Sequence, residues 1–126
     1  MTISAKIIAD SVANGIRITT MELEYPRFIH SEFMTHRMFS RNASSSRAIP
    51  VAKMIAQVSE NPAMPIHWGR NQPGMQADEE LDLLRGMELW EDSAEYVVEN
   101  CRIMSEFGYH KQVVNRLLEP FQHIKV

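Results

Sequence analysis

Two β-prone runs open the chain, Ala5–Val12 and Ile16–Leu23, and the Asn14-Gly15 pair between them is a strong hairpin-turn signal. In the second run Ile16, Ile18 and Thr20 alternate with Arg17, Thr19 and Met21. This predicts a strand with one face toward a core and the other toward something polar. Pro26 suits the first turn of a helix, and Phe28, Ile29, Phe33 and, less regularly, Met34 recur at near-helical spacing, so a helix is predicted over Pro26–Arg37. Met38–Ser46, rich in Ser and Asn with no apolar period, reads as a loop or turn. Pro50 starts a further helix, with Val51, Met54, Ile55 and Val58 on one face.

Asn61–Gln76 holds Pro62, Pro65, Pro73, Gly69 and Gly74, which predicts a long irregular excursion around His67 and Trp68. It is either a loop anchored by a buried Trp or a lid. From Ala77 to Phe107, Leu81, Leu84, Met87 or Leu89, Trp90, Ala94, Val97, Val98, Cys101 and Met104 fall on one stripe, the mark of a long amphipathic helix ended by Gly108. His110–Leu118 follows with Val113, Val114, Leu117 and Leu118 inward, and Pro120 stops it. The alternating ending Phe121–Val126 reads as the start of a strand that is cut off. The expected fold is α+β, a small mostly antiparallel sheet with an N-terminal hairpin beside packed helices, one of them long and amphipathic.

With 126 residues the chain is one domain, large enough for a real core. The lone Cys101 excludes a disulfide framework and a cysteine zinc cluster, and its place on an apolar stripe fits a buried structural thiol better than a nucleophile. His30, His67, His110 and His123 lack the mutual spacing of zinc ligands, so no metal is assigned. The N-terminus has neither a basic start with a long apolar run nor a membrane span, which points to a cytoplasmic protein without membrane contact.

Charge changes the picture more than composition does. The net charge is −3, yet Arg27, Arg37, Arg41 and Arg47 face only Glu32 between positions 27 and 47, whereas Asp78 to Glu106 is strongly acidic. A basic island in an acidic chain fits a compact anionic ligand such as a nucleotide phosphate better than a nucleic-acid coat. Local salt bridging between the two segments is the alternative. The island contains Thr35-His36-Arg37-Met38-Phe39-Ser40-Arg41-Asn42-Ala43-Ser44-Ser45-Ser46-Arg47, almost entirely donors. Guanidinium forks match phosphate geometry, and Ser hydroxyls with loop amides complete the coordination. Taken without a family, a Ser-rich turn capping the next helix accounts for the same residues.

This run resembles the Arg-His-Arg-x7-Ser signature of the flavin-dependent thymidylate synthases, with His36, Arg37 and Ser45 in register and Ser40, Asn42, Arg47 and Phe33 at familiar flanking positions. A second patch, Gly108–Pro120, is similar to the family's later helix with its Ala-Arg-x-x-Leu-Pro-like ending, and Arg116 is the counterpart of its nucleotide-binding arginine. The resemblance spans nearly the whole chain and is closest to divergent virus-like members.

It implies a homotetramer with sites shared between subunits, and a reaction in which deoxyuridine monophosphate (dUMP) is reductively methylated to dTMP. Methylenetetrahydrofolate supplies the carbon, and FAD recharged by NADPH supplies the hydride. Carried over residue by residue, Thr35, His36, Arg37 and Ala43 stand beside FAD. Glu32, Thr35, Ala43, Ser44, Ser45, Ser46, Arg47 and Arg116 surround dUMP. Two departures stand out. Thr35 replaces the signature's first arginine, and the family's uracil-activating arginine belongs to a segment beyond Val126, so the chain reads as an N-terminal portion with no assigned catalytic residue. The rivals are a non-catalytic or altered-specificity nucleotide- or flavin-binding relative or fragment, and a single-stranded nucleic-acid binder using the Arg/Ser stripe with Phe39. The acidic helix opposes the latter.

Overall fold

In the computed structural model the described residues are 3–74 and 79–126. Strands β1 (Ser4–Ala13) and β2 (Ile16–Pro26) form the expected hairpin. Asn14 and Gly15 both take positive φ, 52° and 76°, the left-handed pair that matches the twist of a tight hairpin. Pairing runs from Ser4 opposite Glu24 to Ala13 opposite Ile16, with a bulge between Ile7 and Ala9. Strand β3 (His123–Lys125) pairs antiparallel with the end of β2, placing Tyr25 opposite Ile124, so the sheet order is β1-β2-β3. Of the alternating run Phe121–Val126, His123–Lys125 is a strand, whereas Phe121 closes a 3-10 turn, Glu119–Phe121.

The expectation for the hairpin's faces fails. Every residue of β1 is exposed, as is β2 from Ile16 to Met21, with Ile16 and Ile18 about two-thirds open to solvent. The hairpin extends away from the helices, and only its base, at Tyr25 and Pro26, reaches the interior. Register explains why alternation misled. Ile7, Met21 and Leu23 share one face, whereas Ile16 and Ile18, of opposite parity on β2, lie on the other, so neither face is uniformly apolar.

The predicted helix over Pro26–Arg37 is also shorter. A 3-10 turn, Arg27–Ile29, leads into α1 (His30–Phe33), and the helix then stops. The Thr35 hydroxyl donates to the Glu32 carbonyl at 2.7 Å. The Arg41 guanidinium donates to the carbonyls of Met34 (3.0 Å), His36 (3.2 Å) and Phe39 (2.9 Å). Side chains thus occupy carbonyls that further helical amides would have used.

The core is helical. Helix α2 (Val51–Glu60) buries Met54, Ile55 and Val58, α3 (Leu83–Glu106) buries Ala94, Val98 and Cys101, and α4 (Lys111–Leu118) buries Val114, Asn115 and Leu118; Phe121 joins their cluster. Asp82 caps α3 by accepting from the Arg85 amide, and Gly108, at φ 91°, ends it. The predicted start at Ala77, with neighbouring Gln76 and Asp78, lies outside the described residues. Leu81 and Leu84, expected inward, are exposed, and of the alternatives Met87 and Leu89 it is Met87 that is half-buried. Helix α4 is rotated from its predicted phase, because Val113 and Leu117 are exposed and Asn115 faces inward.

The described part of the proline-rich excursion, 61–74, is anchored through Trp68, which is half-buried. Trp68 packs edge-on to Trp90, and Gly86 admits it, since a Cβ there would lie 2.7 Å from Trp68 Cε3. Trp90 Nε1 donates to the Ala63 carbonyl at 2.8 Å. The Cys101 thiol is fully buried, and burial pushes its pKa up, as suits a structural role. Among the described residues no helix is long and apolar enough to cross a membrane.

Candidate functional site

The basic island folds into two separately held pieces. The first, Thr35–Arg41, turns around the Arg41 guanidinium, which also meets Met34 Sδ. Its aromatic side chains form a ladder: Phe39 stacks on Phe33 at 5.7 Å and 16°, and Phe33 lies 5.6 Å from Tyr25. The Tyr25 hydroxyl and His30 Nδ1 share a 2.7 Å hydrogen bond at the buried end. Burial, with help from Arg27 and Arg41, lowers the His30 pKa and so disfavours the protonated ring. His36 meets Phe39 edge-on and is otherwise open to solvent, and Glu32 is exposed, accepting from the Ser31 hydroxyl at 3.0 Å.

The second piece, Ser44–Ile49, is fastened to the C-terminal part of the chain. The Ser44 amide donates to the Lys125 carbonyl (3.2 Å), and half-buried Arg27 donates through Nη2 to the Ser44 carbonyl (3.3 Å). A 3-10 turn, Ser46–Ala48, follows, capped by the Ser45 hydroxyl, which accepts from the Arg47 amide. The serines therefore cap this turn and not α2, whose own cap position is Pro50 with no side-chain bond. The Ser46 hydroxyl, predicted to face a ligand, is buried and donates to Glu119 Oε1 at 2.6 Å. Asn115 Nδ2 donates to the carbonyls of Ser46 (2.8 Å) and Ile49 (2.6 Å).

Of the predicted ligand contacts, Ala43, Ser44, Ser45, Arg47 and, on α4, Arg116 lie on exposed surface. No bond among the described residues joins Thr35, His36 or Arg37 to Ser44–Arg47. Arg37, Arg47 and Arg116 make no ion pair among the described residues, and among those residues no ion pair joins the island to α3, whose Arg85 and Arg102 pair within the helix; the contact between them is apolar, Phe28 edge-on to Trp90 at 5.8 Å. Among the described residues, therefore, no salt bridge joins the basic and acidic segments. The larger groove, of about 490 Å³ between α2 and α3, lies elsewhere, beside Glu91, Glu95 and Glu99. Among the described residues no group of three or more His, Cys, Asp or Glu is arranged to hold a metal ion.

Four residues hold the site: Arg27 and Arg41, which the sequence placed in the basic island but which bind loop carbonyls, and Asn115 and Glu119, to which it gave no role. For Asn115 a signal existed, because an amide beside Val114 and one turn before Leu118 sits on an apolar face. No family profile matches this sequence, and neither characterised proteins nor solved structures give a match.

Proposed function

We propose that the chain binds a nucleotide and FAD across the Glu32–Arg47 segment and works as the N-terminal part of a flavin-dependent thymidylate synthase. The observation that carries this reading is the set of three exposed arginines, Arg37, Arg47 and Arg116, that have no ion-pair partner among the described residues, in a chain of net charge −3. Uncompensated guanidinium groups on an otherwise acidic protein favour an anion with two or more phosphate oxygens. The donor set fits such a group: Ser44 and Ser45 with Arg47 and Arg116 suit the dUMP phosphate, and His36 and Arg37 beside the Phe33–Phe39 stack suit a flavin diphosphate and its planar ring.

Bound there, FAD supplies the hydride and methylenetetrahydrofolate the carbon. The chain's own residues bind and orient, stabilising charge that develops on the pyrimidine without a covalent bond. Thr35 favours a second reading, a non-catalytic binder, because its hydroxyl is engaged by the Glu32 carbonyl and offers no replacement for a guanidinium.

Self-association belongs to the same proposal. The chain exposes 9310 Å², against about 6,900 Å² expected for a compact monomer of its mass. That surplus, together with the exposed apolar side chains of the hairpin, suits burial against further copies in a homotetramer with shared sites.

Calorimetric titration with FAD and with dUMP tests the reading. Saturable binding to both, weakened about tenfold or more in Arg37→Ala for FAD and in Ser45→Ala for dUMP, is expected. A folded chain that takes up neither ligand at millimolar concentration overturns it.

A further inference from the structure

The loop carrying Ser44, Ser45 and Arg47 is held by contacts that no pattern in the loop itself requires. Asn115 is entirely buried, and both hydrogens of its Nδ2 are used, one on the Ser46 carbonyl and one on the Ile49 carbonyl, three residues apart. One side-chain amide thus staples both ends of the 3-10 turn to α4. One turn later Glu119 accepts the Ser46 hydroxyl, and Lys111 reaches the Ala48 carbonyl at 3.5 Å. Gln122 Nε2 completes the network by donating to the Asn115 main-chain carbonyl at 3.2 Å.

This arrangement is costly as mere packing. Asn115 Oδ1 is buried with no donor, and an aliphatic side chain would continue the surface of Val114 and Leu118 without an orphaned acceptor. Turning the amide over would not help, since its oxygen would then face two carbonyls. What the staple does achieve is register: with Ser46 drawn inward, its neighbours Ser45 and Arg47 are both turned to solvent.

Resting on the nucleotide-binding reading above, we propose that Asn115 and Glu119 are positioning residues: they fix the Ser44–Arg47 loop so that Ser45 and Arg47 converge on the nucleotide phosphate. Neither touches the ligand. Their effect is exerted through the Ser46 main chain and hydroxyl. Misplacing donors by about an ångström costs binding and orientation far more than it costs stability.

The test compares Asn115→Ala with Val114→Ala, a neighbouring core truncation that leaves the staple intact, and with Glu119→Gln, which retains an acceptor for Ser46. Titration with dUMP is combined with amide hydrogen exchange at Arg47 and Ala48. Asn115→Ala should weaken dUMP binding roughly tenfold to a hundredfold and speed exchange at both amides. Val114→Ala should lose stability while its affinity and loop exchange stay as in wild type, and Glu119→Gln should retain most of the affinity. Equal affinity in Asn115→Ala and wild type, or an equal loss in Val114→Ala, overturns the proposal. If wild type binds no dUMP, the nucleotide reading falls by itself. The staple then stands on exchange alone, and unchanged exchange in Asn115→Ala overturns it.

Discussion

The hairpin and the helical half of this molecule have similar shares of apolar side chains and opposite fates. In α2, α3 and α4, Met54, Val58, Val98, Cys101, Val114 and Leu118 are almost wholly enclosed. In β1 and β2, Ile7, Ile8, Val12, Ile16, Ile18 and Met21 stand in solvent. The helices present stripes at a period that lets three elements close on one centre. The hairpin splits its apolar residues between two faces, so no single element can cover them. Apolar content sets how much surface a chain must hide, and only geometry decides whether it can hide that surface within itself.

The largest expected effect lies on the enclosed side. Leu118→Ala should lower the unfolding free energy by about 2–5 kcal/mol in chemical denaturation. Loss of under about 1 kcal/mol would show that α4 is loosely packed and break the contrast. Next is acidity. The pKa values of His30 and His123 are both lowered, chiefly by burial, from the ordinary 6.5. Below pH 6.5 the unfolded chain therefore binds more protons than the folded one. Their contribution is complete above that value and is lost as pH falls through the lowered pKa values. Thermal melts should show a midpoint falling on acidification, less steeply in His123→Gln.

On the hairpin, Gly15→Ala should cost roughly 1–2 kcal/mol, because position 15 sits at φ 76°, and a melt of the dilute protein reads it. The smallest effect is expected for Ile18→Thr, under about 0.5 kcal/mol in dilute solution. A Leu118-sized loss there would mean that the hairpin is already covered in solution. Sedimentation of the same variant would then show a smaller assembly than wild type.

The sequence made some of this architecture legible and concealed the rest for identifiable reasons. Asn14-Gly15 forced its turn, Pro50 and Gly108 bounded helices, and the spacing of Ala94, Val98 and Cys101 announced the buried face of α3. The early end of α1 was hidden because the group that takes its carbonyls, Arg41, lies beyond the helix and acts through its side chain. The phase of α4 was ambiguous because Val113, Val114, Leu117 and Leu118 offer two equally apolar settings, and polarity argued against turning Asn115 inward. At the candidate site, donor-rich composition marked Ser44, Ser45 and Arg47. It could not mark Asn115 or Glu119, whose partners lie about seventy residues away.

That separation also orders events during synthesis. The Ser44 amide finds its acceptor on Lys125, and β2 acquires its third-strand partner only at His123–Lys125. While a ribosome is still making α3, the hairpin can close, Arg41 can hold the Thr35–Arg41 turn and α2 can form, but the Ser44–Ile49 piece still lacks Asn115, Glu119 and Lys125 to fasten it. The candidate site is thus assembled late, by the residues most recently emerged. A nascent chain stalled before position 123 should carry an ordered hairpin and a site not yet shaped to hold a ligand.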